Sequence, residues 1–324
     1  MKKSIVLTLL LLGTLSTYAD IRPNPIKAKG IIAGKNTSIR MDSEMVVVDL
    51  YKDSAVVECH FYMKNDSDSQ KLTIGFPEMN FQYFRSNDGT ETGNFCAFEN
   101  GERVKLINFH QAASLKEKFP FTGLTNQQGD DQPWFLWDSE FDNGEKKTIV
   151  VRYTLPYGAT KAGCRYFTYL LNTGSGWKGN IGKAEITVNL KDITPDLILK
   201  AMPGNYKTNG KQLSWIFTDF EPTIKDDINI YYEESKGYYS QNSQKIKDNA
   251  PMIVVDDKVL PKIDPLELET MGMERFAELL NVKVEEIQSI EIRKDKETIS
   301  KYNTANGVLI VYTKDYLKNK PKDN

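Results

Sequence analysis

Histidine is scarce: His60 and His110 are the only two in 324 residues. That leaves little of the commonest general base and the commonest metal ligand. His60 adjoins Cys59, but neighbours on a strand point to opposite faces, so the two form no Cys–His pair. Cysteine is also scarce, and odd in number. Cys59, Cys96 and Cys164 cannot make a complete disulfide framework, and their spacing fits no zinc pattern. At most one internal pair can form, and Cys96 with Cys164, both near turns, is the expected one. A nucleophile elbow, a zinc-protease helix motif and a dinucleotide fingerprint are all missing. The formal net charge is only −2, which leaves no electrostatic footprint for nucleic acid. No apolar run reaches the roughly 20 residues of a transmembrane helix. These absences predict a protein without catalytic residues, cofactor, metal or nucleic-acid partner. A carboxylate site assembled in space would escape such a reading.

What is present begins at the N-terminus. Lys2 and Lys3 precede the apolar stretch Ile5–Leu12, and Thr17 and Ala19 place small residues at −3 and −1 of a cleavage site. That layout predicts a secretory signal peptide over residues 1–19. The competing reading, an uncleaved anchor, meets too short an apolar run. No cysteine follows the run, so no lipoprotein anchor is indicated. Cleavage removes two lysines and no acids, taking the charge from −2 to −4. The remainder is long enough for two domains with real cores.

Short strand-like runs then succeed one another. Met45–Tyr51 and Ala55–Met63 flank the turn Lys52-Asp53-Ser54. Lys71–Phe76, Val104–Phe109, Lys147–Thr154, Tyr166–Leu171, Ala184–Leu190, Leu197–Leu199, Gln212–Phe217 and Ile228–Tyr232 follow, with turns at Asn100-Gly101 and Asn143-Gly144. In Ala55–Met63 the residues Ala55, Val57, Cys59, Phe61 and Met63 share one face, which makes Cys59 a small core hydrophobe. One helix is expected, at His110–Phe119. Frequent strands with Gly, Asn and Asp turns predict a β-sandwich-like domain over residues 20–236.

Residues 237–250 are polar and lack a clean period, and read as a linker. Residues 251–316 change character. Met252–Asp256 is a strand, Asp256-Asp257 a turn, and Pro265–Leu280 has helical spacing with Leu268, Met271, Phe276, Leu279 and Leu280 on one face. Strand-like Val284–Arg293, a short helix Glu297–Tyr302 and a buried strand Gly307–Thr313 complete a small α+β unit, and residues 317–324 form a charged tail. The fold class expected is therefore mainly β, with a smaller α+β domain after the sandwich.

Residues 251–314 resemble the plug domain of TonB-dependent outer-membrane receptors, in the form common in Bacteroidetes. The likeness rests on Ile253-Val-Val-Asp-Asp-Lys-Val259, Ile287-Gln-Ser-Ile-Glu-Ile-Arg-Lys-Asp295, Tyr302 and Asn306-Gly-Val-Leu-Ile-Val-Tyr-Thr-Lys314. No barrel of alternating strands follows Lys314, so transport is not implied. A free-standing plug-like domain implies a docking role toward an envelope protein, through residues 251–316. It also implies a Gram-negative host, with a periplasmic or outer-membrane-associated location. The N-terminal part resembles a secreted bacterial β-domain family of unknown function. The residues carrying that likeness are Asn36–Glu44, Tyr169–Val188 and Trp215–Thr223, and no chemistry comes with it.

Three features could bind something. Pro133-Trp-Phe-Leu-Trp137, flanked by Asp131 and Asp138, could stack aromatics on a sugar while the acids bond its hydroxyls. The competing reading packs a tryptophan into the core. The stretch Thr173–Gly182 could cradle an anion through backbone N–H groups, yet it lacks a P-loop ending and precedes a strand. Its competing reading is a tight loop with Trp177 over the sheet. The acid pairs Asp226-Asp227 and Asp256-Asp257 could hold a hard cation, or simply make turns. The expected ligand-contacting residues are Trp134, Trp137, Asp138 and Trp177. The functions that follow are a non-catalytic envelope adaptor, a glycan-binding protein, or a hydrolase with an unrecognised carboxylate site.

Overall fold

The structure, a computed structural model, describes residues 27–29, 37–77, 95–107, 134–160, 163–248, 250–270, 273–304 and 306–319. The expected signal peptide and the expected helix at His110–Phe119 lie outside the described residues. The chain divides into two compact units, with a boundary between Gly237 and Tyr238. It is mainly β, with a smaller α+β part.

Among the described residues the first unit carries fifteen strands. They are β1 (Lys27–Lys29), β2 (Ile39–Leu50), β3 (Ser54–Asn65), β4 (Gln70–Pro77), β5 (Phe95–Glu99), β6 (Glu102–Arg103), β7 (Trp134–Phe141) and β8 (Lys146–Pro156). Next come β9 (Gly158–Ala159), β10 (Arg165–Leu170), β11 (Ile181–Leu190), β12 (Ile198–Met202), β13 (Lys207–Thr208), β14 (Gln212–Phe220) and β15 (Ile228–Tyr232). An eight-stranded sheet runs β13-β14-β11-β2-β3-β8-β5-β6. A five-stranded sheet runs β1-β10-β15-β12, with β9 on β10, and β4 pairs with β7.

Period-two burial explains why these layers meet. On β3 the buried residues are Ala55, Val57, Cys59, Phe61 and Met63, and on β11 they are Ala184, Ile186, Val188 and Leu190. From the other sheet Phe167, Tyr169, Ile228, Ile230 and Tyr232 join the same core cluster. Each fully buried aliphatic or aromatic side chain contributes roughly 1.5–3 kcal/mol. His60 lies on the opposite face of β3 from Cys59, as strand parity requires.

Two strand expectations need correction. Within Val104–Phe109 the described residues 104–107 form only one bridge, Ile107 to Leu136. The five-residue β5 was not foreseen, because only Phe95 and Ala97 mark its inward face. The expected Cys96–Cys164 pair is also overturned, since no disulfide joins any two of the three cysteines. Cys96 sits on β5 of the eight-stranded sheet, while Cys164 is buried just before β10 of the other. Closeness to a turn in sequence does not bring two residues on different sheets together.

The second unit contains α1 (Tyr238–Asp248), β16 (Met252–Val255), β17 (Lys258–Leu260), α2 (Pro265–Thr270), α3 (Met273–Leu279), β18 (Ile287–Arg293), α4 (Lys296–Tyr302), β19 (Val308–Thr313) and α5 (Lys314–Asn319). Its sheet order is β17-β16-β19-β18, with β16 and β19 parallel. On one face Ile253, Val255, Leu309 and Val311 pack with Phe276 and Leu280. On the other Val254, Val308 and Ile310 pack with Tyr302 and Tyr312.

The acid pair Asp256-Asp257 is a turn. Both residues have positive φ, +47° and +63°, as a tight two-residue hairpin demands. Asp256 accepts from Thr313 N at 2.8 Å and Thr313 Oγ1 at 2.7 Å, and Asp257 accepts from the Tyr316 hydroxyl. Asp226 is likewise engaged, in a capping box with Thr223. Among the described residues no cluster of three metal-binding side chains forms.

Residues 237–250, polar enough to read as a linker, are mostly helix. Among its described side chains the buried one is Tyr239, whose hydroxyl bonds Asp264 at 3.3 Å. One anchor creates no period, so the helix was invisible in the pattern. Helix α5 extends into the expected tail because Tyr316 stacks on Tyr312, with ring centroids 5.7 Å apart. Among the described residues no helix is long and apolar enough to cross a membrane.

Candidate functional site

A polar cleft of the first unit is built where β5, β6, β7 and β8 come together. Inward positions of β8 alternate Lys147, Ile149, Val151, Tyr153 and Leu155. Lys147 therefore occupies a place that strand parity reserves for an apolar side chain, and it is only 8% exposed. A buried ammonium must be paired and hydrogen-bonded. Its Nζ donates to Glu99 Oε2 at 2.9 Å, to Ser139 Oγ at 3.2 Å and to the Glu140 carbonyl at 2.6 Å. It also stands 4.4 Å from the centroid of the Phe141 ring. Glu99, the last residue of β5, accepts a second bond on Oε1 from the Trp137 indole N–H, at 2.9 Å.

The turn after Glu99 fixes the mouth. Asn100 and Gly101 both take positive φ, and Asn100 is tied to β8 by paired bonds with Thr148. Beyond it Glu102, Arg103, Lys105 and Asp138 line a cleft of about 970 Å³ that has Lys147 and Glu99 at its base. The cleft offers charged donors and acceptors of both signs. Such a lining suits a ligand rich in hydroxyl or amide groups rather than an apolar one.

The expected ligand-contacting residues separate on this scaffold. Asp138 is exposed on the cleft wall, where Oδ1 accepts from Thr73 Oγ1 at 2.8 Å. Trp137 is 1% exposed and Trp177 is 5% exposed. Neither indole has a free face for a sugar ring, so the stacking role expected of them is corrected: both are core residues. Trp134 opens β7, and its side chain lies outside the described residues. The glycine-rich stretch is a 3-10 turn, Leu171–Gly176, packed tightly enough that a Cβ at Gly174 would lie 2.7 Å from Ile181 Cδ1. It is a packed loop between strands.

Sequence reasoning missed Glu99 and Lys147. The available signal was a charged residue at an inward-facing parity position, Lys147, and a second such position exists. Glu44 on β2 shares parity with Val46, Val48 and Leu50 and is 3% exposed. Burial pushes its carboxyl up to about 7, with the Tyr169 hydroxyl bond acting against that rise. On its neighbour strand burial raises the Cys59 thiol far above its ordinary value, which makes it inert at neutral pH.

No protein-family model matches the chain, and no curated protein matches it. Some solved structures are similar in chain trace. A candidate nutrient-binding protein from Legionella pneumophila is 16% identical, with a TM-score of 0.48 over 68% of this chain and 74% of its own. A variant M1 zinc metallopeptidase from Deinococcus radiodurans is 9% identical, with a TM-score of 0.28 over 60% of this chain and 42% of its own.

Proposed function

We propose that this is an exported binding protein of a bacterial cell envelope, without catalytic activity, whose C-terminal unit docks a protein partner. The observation that carries the reading is strand β18. It ends the four-stranded sheet, is seven residues long, and pairs on one side only with β19 among the described residues. The opposite rim, β17, has three residues. Short edge strands are a usual protection against unwanted pairing, whereas a long open edge is a template for an added strand. Ile292 on that edge is 43% exposed and is flanked by the Glu291–Arg293 ion pair, whose N–O distance is 2.6 Å. The resemblance of residues 251–314 to receptor plug domains supports the same reading, as does the signal-like N-terminus. The partner is an envelope protein offering an extended segment.

The test is crosslinking of the tagged full chain in native envelopes, beside Ile292→Lys. A charge on an exposed edge leaves the sheet intact and obstructs strand addition. The expected result is a partner recovered at least several-fold better with the parent chain. Equal recovery, or no partner with either chain, overturns the docking assignment.

A second reading concerns the cleft. A small hydroxyl-rich ligand, a glycan fragment among them, fits its charged lining better than the buried tryptophans. Arg103→Ala is expected to abolish a thermal shift produced by a sugar panel. A shift that survives it places the ligand elsewhere, and a panel without any shift sinks the reading.

A further inference from the structure

Strand β2 changes parity part-way along. Ile39 and Met41 face the core, and then so do Glu44, Val46, Val48 and Leu50. The change occurs at a bulge, where the pairing with β3 jumps from Met41–Met63 to Ser43–Tyr62 and leaves Asp42 as the extra residue. On the next strand Gly182 makes room for it: a Cβ there would lie 2.4 Å from the Asp42 carbonyl oxygen. Without the bulge Glu44 would point outward. The fold thus contains a specific device that turns a carboxyl group into the space between two sheets.

There Glu44 Oε1 accepts a hydrogen bond from the Tyr169 hydroxyl, on β10 of the five-stranded sheet. Cys59 Sγ on β3 lies 3.6 Å from the same hydroxyl, and Tyr153 on β8 completes the group. Directly across from Glu44 on the flanking strands are Phe61 and Ala184, neither titratable. Among the described residues no ion pair includes Glu44; the groups facing it are two phenols and a thiol. Burial raises all three of these as well, so each stays neutral through the physiological range.

We propose that Glu44 is a proton-gated latch between the two sheets of the N-terminal unit, holding them together when protonated and loosening them when it ionises. The protonated carboxyl joins β2 to β10 through Tyr169 at no charge cost. The ionised carboxylate keeps that one bond but stands desolvated without a cation, an arrangement the core relieves by opening toward water.

The sign follows from proton counting. The folded carboxyl titrates at about 7 against an ordinary 4.5, so between those values the folded state holds more protons than the unfolded one. Stability is fully present below the ordinary value, falls as pH rises, and levels off above about 7. For that pair of values the unfolding constant gains a factor of roughly 70 between about pH 5 and about pH 8.5.

The experiment is denaturant unfolding of the full chain at both pH values. It is followed by tryptophan fluorescence, which reads this unit because Trp134, Trp137, Trp177 and Trp215 all lie in it. The parent is expected to lose roughly 70-fold more in folding constant than Glu44→Gln. Tyr169→Phe removes a bond that favours the charged form and is expected to move the loss to higher pH. Equal pH dependence in parent and Glu44→Gln overturns the latch. Should either variant fail to fold, the parent alone decides through infrared spectroscopy. A protonated-carboxyl carbonyl band at about pH 6 that vanishes by about pH 8.5 supports the latch, and its absence at about pH 6 overturns it.

Discussion

Lys147→Met is expected to cost the N-terminal unit about 3 kcal/mol, measured as a fall in the denaturant midpoint followed by tryptophan fluorescence. Methionine fills nearly the same volume, so the loss isolates the ammonium rather than a cavity. Without it Glu99 keeps one donor, the Trp137 indole, while its other oxygen and the Glu140 carbonyl lose theirs. A buried acceptor stripped of its partner costs more than the intact pair ever contributed. Adding Glu99→Gln to Lys147→Met should therefore restore part of the loss, and a double-mutant cycle should show coupling of about 1–3 kcal/mol. The pair Lys71–Glu140 is the control. Its 2.6 Å separation is shorter, yet both side chains are more than half exposed, and removing it should leave the midpoint in place. If both pairs gave the same small effect, Lys147 would be a solvated surface lysine and the base of the cleft would not be preorganised.

Gly182→Ala is expected to lower stability by about 2 kcal/mol, visible as a clear fall in melting temperature. The obstacle to the new methyl group is the Asp42 backbone carbonyl, which cannot rotate away as a side-chain end could. The strands β2 and β11 must separate, or the bulge must be lost. Losing the bulge slips β2 by one residue and exchanges its inward and outward faces. Gly204→Ala is the matched comparison: nothing lies within 4 Å of a Cβ there, and no positive φ is involved, so it should be close to neutral. A tolerant Gly182→Ala would mean that the bulge is not held by close packing, and would remove the device that turns Glu44 inward.

Much of the fold was legible because strand parity is a local property. Ala55–Met63 announces its buried face in five alternating residues, and the structure buries all five. The turns at Asn100-Gly101 and Asn143-Gly144 were legible for the same reason, since glycine and asparagine tolerate positive φ where other residues are strained. Helix α1 was not legible, because among its described side chains only Tyr239 is buried, and one buried residue makes no period. The candidate site was half legible. Asp138 lies on the cleft wall, but Trp137 and Trp177 could not be assigned a face until the sheets around them were known.

Sequence by itself determined most of the segments that extend and the faces they bury, because these depend on residues within a few positions of one another; β5, with two inward residues, gave too little signal. Two charges at inward positions, Glu44 and Lys147, were passed over in the sequence and stand out once the strands around them are known. Only the tertiary structure decided what answers them. Glu99 meets Lys147 across 48 positions and Tyr169 meets Glu44 across 125. Such partners are set by strand order, register and a single bulge, and a buried charge is stable or costly according to a neighbour that local spacing cannot name.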